Sequence, residues 1–253
     1  MLWKHSFRKV AKLSINKLLG KVGLRIISSS WGPRGFLNTL YRVKRQGIKP
    51  NQIIDIGASD GRWTRDCLKV FQDAKYFLVE PLEENRVFLQ ELQREYSQVK
   101  AWTGALGAKS AKLILNVHAD QSSFLKSEYS RNSTSGTRLV EVQTLDTFLE
   151  RGTIEAPDMI KADVQGYEME VLKGAEKCLQ SAELLLLELL YRRLYENCPL
   201  AHEVISYAGS KGFRIFDICT YVKRPLDGEL AYSDILFAKA DSKLFESEGW
   251  EMH

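Results

Sequence analysis

Short apolar runs and stretches of helical periodicity alternate along most of this chain. β-Branched and other apolar residues cluster in runs of four to six, and the segments between them carry apolar residues at helical spacing. In the first half the predicted strands are Ile53–Ile56, Lys75–Val79 and Val99–Thr103, and the predicted helices are Gly35–Gln46, Trp63–Phe71 and Glu84–Tyr96. Alternation of strand and helix predicts right-handed crossovers and a mostly parallel sheet.

The middle of the chain breaks this alternation. Leu113–Val117 and Leu139–Val142 have the pattern of strands, and the polar, serine-rich segment Ser122–Gly136 lies between them. This pattern predicts a β-hairpin insertion with a mobile loop. We expect the insertion at the carboxyl end of the sheet, where open α/β sheets usually bind their ligands.

The alternation resumes after the insertion. The predicted strands of the second half are Met159–Ala162, Leu184–Leu189, Phe213–Cys219 and Asp234–Ala238, and the predicted helices are Glu168–Leu179 and Pro199–Lys211. The last two strands are joined by the turn-forming sequence Pro225-Leu226-Asp227-Gly228 without a helix. These two strands are therefore predicted to be antiparallel.

The distribution of charge divides the chain in two. Residues 1–54 contain twelve Lys and Arg and no Asp or Glu, although the 253 residues together hold 36 basic and 32 acidic residues. We predict a basic helical arm over residues 1–34 and a single α/β domain over residues 35–253. The arm mixes lysines with apolar residues. This pattern is compatible with contact with an anionic membrane surface, with a solvated arm, or with a helix packed on the domain or on a second subunit.

The remaining composition indicates a cytoplasmic protein, with peripheral membrane contact through the arm left open. No apolar run approaches the roughly 20 residues that cross a bilayer. The four cysteines have no C-x-x-C spacing and no histidine-rich tract beside them: Cys67, Cys178, Cys198 and Cys219. This pattern favours reduced thiols over disulfides or a zinc site.

A glycine-bearing loop follows the first strand of the predicted domain. Its sequence is Asp55-Ile56-Gly57-Ala58-Ser59-Asp60-Gly61. Glycines allow a ligand to approach the backbone closely, and the next helix presents free N–H groups. Glu80 ends the second strand, which is a position suited to hydrogen bonding with ribose hydroxyls.

The spacing within this loop distinguishes two cofactors that could bind there, a nicotinamide dinucleotide and S-adenosylmethionine. The dinucleotide fingerprint G-x-G-x-x-G requires a second glycine beside the pyrophosphate, and here Gly57 is followed by Ala58. Asp60 would place a carboxylate near two phosphates, which is electrostatically unfavourable. S-Adenosylmethionine has a sulfonium cation and no phosphate, so an acid-rich loop suits it. A strand–turn–helix without a ligand is the alternative.

Several ordered motifs together resemble the FkbM family of methyltransferases. The resemblance covers about residues 36–240 and is carried by Ile54-Asp55-Ile56-Gly57-Ala58, Val79-Glu80-Pro81, Thr144-Leu145-Asp146, Lys161-Ala162-Asp163-Val164-Gln165-Gly166-Tyr167-Glu168 and Val171-Leu172-Lys173-Gly174-Ala175. It implies an S-adenosylmethionine-dependent methyltransferase with a Rossmann-like, seven-stranded, mostly parallel sheet and an antiparallel last strand. It also implies methylation of hydroxyls on sugars or related natural products.

The resemblance implies a set of cofactor-binding residues along successive strand ends. Asp55, Gly57 and Gly61 would surround the methionine part, Glu80 the ribose, and Ala105-Leu106 the adenine. The complete predicted set is Asp55, Gly57, Ala58, Asp60, Gly61, Glu80, Pro81, Ala105 and Leu106.

Two carboxylates are candidates for the catalytic role. Asp163, at the end of the fourth strand, could orient a hydroxyl or accept its proton, or it could cap the next helix. Glu188 interrupts an apolar strand, so it either faces the cleft or pairs with Arg192 or Arg193. Together the two could bind a hard cation, although no metal cluster stands out. The family often has Glu at Gln165, so no catalytic role is assigned to that residue.

Other residues and functions receive less support. His202 and His118 could act as bases, but a surface histidine is the more frequent case. The alternative functions are a nicotinamide-dependent oxidoreductase and a non-catalytic binding module on the same fold. No base-amine methylation motif of the N-P-P-Y type supports nucleic-acid modification. We expect a small-molecule or glycan hydroxyl as the acceptor, whose identity the sequence does not give.

Overall fold

The computed structural model describes residues 35–118, 122–128 and 136–246. The predicted basic arm, with its membrane or subunit contact, lies outside the described residues. So does part of the loop that was predicted to be mobile. The division at residue 34 therefore stays a prediction.

The described residues form ten strands and seven α-helices. The strands are β1 Gln52–Ile56, β2 Lys75–Glu80, β3 Val99–Thr103, β4 Ala105–Leu106, β5 Ala111–Asn116, β6 Thr137–Gln143, β7 Met159–Ala162, β8 Leu184–Leu190, β9 Phe213–Lys223 and β10 Leu230–Lys239. The helices are α1 Phe36–Arg45, α2 Arg62–Leu68, α3 Arg86–Glu95, α4 Leu145–Glu150, α5 Glu168–Lys173, α6 Glu176–Ser181 and α7 Ala201–Ser210.

Among the described residues, seven strands make one sheet in the order β3-β2-β1-β7-β8-β10-β9. The pairs from β3 to β8 are parallel, and β10 is antiparallel to both of its neighbours. The predicted fold class is confirmed. The chain winds outward in one direction from β1 and in the other from β7, so their loops diverge and leave a crevice at the carboxyl ends of these strands.

Apolar side chains cover both faces of this sheet. One buried cluster joins the sheet to helices α4–α7, and a second joins it to α1–α3. All five residues of β1 are buried, as expected for a strand with helices on both sides. The four cysteines are buried and unpaired within this part of the chain. No helix of the described residues has the length and apolarity to cross a bilayer.

The predicted β-hairpin insertion is confirmed as β5 and β6, which pair antiparallel. A third strand, β4, joins them because Ala105 and Leu106 pair in parallel with Val142 and Gln143. Two residues are too short a run to carry a periodic signal, so β4 was not predicted. Leu82, Leu115 and the inner side chains of β6 form a small apolar core beneath this sheet.

The prediction of one helix over Glu168–Leu179 is wrong. The structure has two helices, α5 and α6, separated at Gly174-Ala175. The Asp146 carboxylate accepts hydrogen bonds from the backbone N–H groups of Lys177 (2.9 Å) and Cys178 (3.0 Å). A side chain that satisfies the first N–H groups of α6 removes the advantage of continuing α5 through this point.

We predict that Gly174→Ala destabilises the protein. A Cβ atom at this position would lie 2.0 Å from the main-chain oxygen of Gly107, and backbone cannot yield to it as a flexible side chain can. The expected loss is about 1–3 kcal/mol in the free energy of unfolding, measured by urea denaturation. Gly209→Ala is the matched control, because no atom lies within 4 Å of its added Cβ. The control is expected to be neutral or to gain up to about 1 kcal/mol, and an equal loss in both variants would contradict the argument.

Candidate active site

A buried ion pair supports the loop that follows β1. Asp55 and Lys161 are register partners on β1 and β7, and Asp55 Oδ1 lies 3.0 Å from Lys161 Nζ. The Thr64 hydroxyl donates to Asp55 Oδ2 (2.6 Å). Asp55 Oδ1 accepts no well-directed hydrogen bond from the described residues, so its contact with the ammonium group is mainly electrostatic.

Lys161 also holds the main chain at the end of β1. Its Nζ donates to the carbonyl oxygens of Gly57 (2.8 Å) and Ile56 (3.3 Å). Burial alone would lower the pKa of Lys161, but the carboxylates of Asp55, Asp163 and, more weakly, Glu188 outweigh it, so the pKa is raised. The ammonium group therefore remains charged beneath the loop.

The loops after β1 and β7 touch backbone to backbone. Gly57 has a φ of 76°, and a Cβ atom there would lie 2.0 Å from the main-chain oxygen of Asp163. Only glycine combines this conformation with so close an approach. The position of Asp163 is therefore fixed against the glycine-bearing loop.

Glu80 is buried at the end of β2, and its carboxylate holds the same loop from the other side. Glu80 Oε2 accepts the N–H of Ser59 (2.8 Å), while Oε1 accepts the N–H of Leu82 (3.0 Å) and the Asn85 side-chain amide (3.1 Å). Burial raises the pKa of Glu80, and these three donors oppose that shift. Oε2 receives one of these bonds, so it retains capacity for a further donor.

The crevice consists of two adjoining cavities. The first, here called the apolar cavity, has about 690 Å³ of empty space, part of it open to solvent. Glu80 lines it, and apolar or aromatic side chains form most of its wall, namely Leu106, Leu115, Phe124, Val164 and Tyr167. The rings of Phe124 and Tyr167 lie 5.0 Å apart between their centroids. A pocket with walls of this composition suits a flat, mostly apolar ligand group.

The second cavity, here called the acidic cavity, is lined by five carboxylates: Asp60, Asp66, Asp163, Glu188 and Asp234. Lys161 and the stacked rings of Phe36 and Trp63 form other parts of its wall. Gly57, Ser59 and Asp163 line both cavities, so the two meet along this strip. An elongated ligand could therefore place one end in each cavity.

Three carboxylates come together at the floor of the acidic cavity. Glu188 and Asp234 are register partners on β8 and β10. The side-chain amide of Gln165 joins Glu188 to Asp163, with its Nε2 3.0 Å from Glu188 Oε1 and 3.0 Å from Asp163 Oδ1.

This grouping strongly favours the protonated form of Glu188. Burial, followed by the nearby carboxylates of Asp163, Glu168 and Asp234, raises the pKa of Glu188 to about 9 against a weaker opposing effect of Lys161. Burial also raises the pKa of Asp234, although a hydrogen bond from the Thr220 hydroxyl opposes it. The crowding of acidic groups in this cluster is therefore relieved in part by protonation of Glu188.

Most of the predicted cofactor-binding residues line one cavity or the other. The apolar cavity is lined by Gly57, Glu80, Pro81, Ala105 and Leu106, and the acidic cavity by Gly57, Ala58 and Asp60. Asp55 lies beneath the loop, and Gly61 begins α2 with a φ of 77°; neither is among the lining residues. Their contact with a cofactor stays a prediction, as it does for the other members of the set.

The structure bears on the alternatives for the two predicted catalytic residues, which were helix capping for Asp163 and pairing with an arginine for Glu188. Asp163 does not cap α5 in the described structure, because the helix begins after Tyr167 without a side-chain cap and the Asp163 carboxylate accepts instead from Gln165 Nε2. Glu168 Oε1 holds the preceding loop by accepting the N–H groups of Val164 (2.9 Å) and Gly166 (3.3 Å). Glu188 faces the acidic cavity, whereas Arg192 pairs with Glu229. Within the described ranges, no three His, Cys, Asp or Glu side chains are grouped so that they could hold a metal ion. His118 and His202 are not among the residues lining either cavity.

Sequence reasoning missed the roles of Lys161, Gln165, Asp234 and Tyr195. Lys161 had a usable signal, since a lysine within a short buried strand requires a partner. Gln165 and Tyr195 had no sequence signal, because their contact joins two loops that are 30 residues apart in the chain. In the structure the Tyr195 hydroxyl donates to Gln165 Oε1 at 2.7 Å. Asp234 joins the cluster only through the register of β10 on β8.

Comparison with known proteins identifies relatives of this chain. A family model described as Methyltransferase FkbM domain matches residues 55–215, which is more than half of the chain. Hexuronic acid methyltransferase AglP of Haloferax volcanii is 37% identical over 57 residues, covering 22% of this chain and 24% of that protein. The 2-O-methyltransferase NoeI of Sinorhizobium fredii is 25% identical over 175 residues, covering 62% of this chain and 72% of that protein.

A solved structure shares the fold. Methyltransferase FkbM from Methylobacillus flagellatus superposes with a TM-score of 0.52 at 18% identity, over 81% of this chain and 48% of that one. The present chain therefore spans about half the length of that protein and about a quarter of the Haloferax protein. At this identity the superposition establishes the fold alone.

We predict that Glu188→Gln stabilises the protein increasingly as the pH rises. The unfolded chain releases this proton near its ordinary pKa of 4.5, whereas the folded protein retains it to about pH 9. Between these pH values the folded wild type keeps the Glu188 proton that the unfolded chain has lost. The free energy of unfolding of the wild type therefore falls as the pH increases, whereas glutamine contributes no such loss. Urea denaturation at pH 5, 7 and 9 should show a growing difference between variant and wild type. Glu141→Gln, on the exposed side of β6, should show a constant difference; parallel curves for Glu188→Gln would refute the assignment.

Proposed function

Because this chain belongs to the FkbM methyltransferase family, we propose that it transfers a methyl group from S-adenosylmethionine to a hydroxyl of a sugar or related natural product. The observation that carries this proposal is a continuous crevice with Glu80 and apolar walls at one end and a carboxylate cluster at the other. The crevice lies at the point where the sheet reverses its winding, where such folds bind ligands.

The residues along the crevice fit this cofactor part by part. The apolar cavity suits an adenine ring, and Glu80 Oε2 is placed to accept a bond from a ribose hydroxyl. The acidic cavity suits the positively charged sulfur and amino group. A nicotinamide dinucleotide would bring its diphosphate beside carboxylates such as Asp60 and Asp163, which disfavours the oxidoreductase alternative.

The bound cofactor would supply a methyl group activated by its positively charged sulfur. The task of the protein is then to align the acceptor hydroxyl, exclude water and receive a proton. We propose that Asp163, which lines both cavities, accepts the proton of the acceptor hydroxyl. Glu188 keeps its own proton at neutral pH because its pKa is about 9, so it does not compete for this role.

The relatives support a hydroxyl acceptor. The Sinorhizobium protein is named as a 2-O-methyltransferase, and the Haloferax protein as a hexuronic acid methyltransferase. We therefore expect a sugar hydroxyl as the acceptor of this chain. The acidic cavity further favours an acceptor that carries no negative charge close to the reacting oxygen, since like charges repel at short distance.

We predict that Glu80→Gln weakens binding of both S-adenosylmethionine and its demethylated product, S-adenosylhomocysteine. Both molecules contain the ribose, and the loss of a charge-assisted hydrogen bond corresponds to about ten- to hundredfold in affinity. Isothermal titration calorimetry measures both affinities, with NAD as the comparison ligand. Glu84→Gln is the control, because Glu84 is exposed and pairs with Arg138 (2.6 Å). Unchanged affinities, or tighter binding of NAD, would contradict the cofactor assignment.

We predict that Asp163→Asn slows methyl transfer by about 10²–10⁴-fold, because an amide cannot accept the proton. The measurement uses cofactor with a labelled methyl group and a panel of neutral, amino and acidic sugars. Cofactor affinity of the variant should stay within a few-fold of wild type. Full activity in Asp163→Asn would exclude the residue as the base. Cofactor binding without transfer to any acceptor in the panel would favour the non-catalytic alternative.

A further inference from the structure

We propose that Gln165 is a positioning residue whose amide holds the Asp163 and Glu188 carboxylates together at the floor of the acidic cavity. Held in this way, the pair would distinguish the positively charged sulfur of S-adenosylmethionine from the neutral sulfur of S-adenosylhomocysteine. This inference rests on the proposed function and adds a residue that acts through others.

The geometry of the amide nitrogen carries the first step. Gln165 Nε2 lies 3.0 Å from Asp163 Oδ1 and 3.0 Å from Glu188 Oε1. A primary amide has two N–H donors, so each carboxylate receives one. A single neutral group thereby holds the Asp163 carboxylate and the protonated Glu188 side chain next to each other.

The hydroxyl of Tyr195 fixes the orientation of this amide. It donates to Gln165 Oε1 at 2.7 Å, and Tyr195 is 5% exposed. A flipped amide would turn Oε1 toward the Asp163 carboxylate, which only accepts hydrogen bonds when ionised, and would leave the Tyr195 hydroxyl facing an N–H group. The contact with Tyr195 therefore keeps both donors of the amide aimed at the acid pair.

The backbone of Gln165 indicates that its position is maintained at a cost. Its φ of 54° lies in the left-handed region, which a residue such as glutamine seldom adopts. The buried Ser123 hydroxyl donates to the main-chain oxygen of Gln165 at 2.7 Å and so helps to hold this conformation. Strained residues that are held by their surroundings occur preferentially at functional sites.

The charged groups around Asp163 and Glu188 determine the electrostatic environment that a ligand in the acidic cavity would meet. Asp234, on β10, and Glu168, on α5, contribute further carboxylates, whereas Lys161, on β7, is engaged by Asp55. Tyr195, in the loop after β8, and Tyr232, on β10, are close enough to Glu188 to interact with it electrostatically. Because Glu188 keeps its proton at neutral pH, the negative charge that a cation would meet here comes from Asp163 and Asp234, which both line the acidic cavity. Gln165 holds Asp163 in place beside that cavity.

The test compares the two ligands, which differ by the methyl group and the charge at sulfur. In Gln165→Met, a side chain of similar length loses both donors; affinity for S-adenosylmethionine should fall about tenfold while that for S-adenosylhomocysteine stays within about twofold. Tyr195→Phe should lower the ratio of the affinity for S-adenosylmethionine to the affinity for S-adenosylhomocysteine by a few-fold. Gln143→Met and Tyr221→Phe make the same chemical changes at positions that line neither cavity, and should leave the ratio unchanged.

The outcomes separate this inference from the proposed function. Equal losses for both ligands in Gln165→Met and Tyr195→Phe would mean a merely structural role, and no loss would mean no role; either result overturns the inference while the cofactor assignment stands. If Gln165→Met fails to fold, the ratio in Tyr195→Phe decides. If the wild-type protein binds neither ligand, the proposed function fails, and this inference falls with it.

Discussion

The ion pair between Asp55 and Lys161 is the constraint on which the crevice depends. It joins the two strands between which the sheet reverses its winding, and Lys161 Nζ also binds the carbonyl oxygen of Gly57. Gly57 in turn sets the place of Asp163 through backbone contact. A buried pair of this kind contributes little net stability compared with apolar residues, but loss of one partner is costly. Its main effect is to specify the geometry of the loops above it.

Above that pair the crevice separates an apolar region from a charged one. Glu80 is buried and holds three donors, so it gives the apolar cavity a single fixed acceptor. The acidic cavity instead concentrates carboxylates that the protein leaves largely unneutralised, with Glu188 protonated as a consequence. Such an arrangement is unfavourable in the empty protein and becomes favourable when a cation enters. Under the proposed function, the positively charged sulfur of the cofactor would offset part of this unfavourable charge.

The sequence predicted the elements better than their contacts. Apolar runs and turn residues indicated the sheet, the hairpin insertion and the antiparallel end, because these depend on local periodicity. The position of Glu80 at a strand end was also readable. The break at Gly174 was not, because it depends on Asp146 reaching α6 from another helix. Likewise, the bridging of Asp163 and Glu188 by Gln165 depends on loops and register that local sequence does not encode.

The interior position of β1, with a parallel neighbour on each side, has a consequence for the order in which this chain can fold. Its partner on one side, β2, follows closely, since Ile53 is paired with Tyr76. On the other side Ile53 is paired with Met159, which the ribosome adds about 100 residues later, roughly 5–20 s at ordinary rates of synthesis. During that interval one edge of an apolar strand has no native neighbour. Nascent chains of this protein therefore pass through a stage in which chaperone binding competes with aggregation.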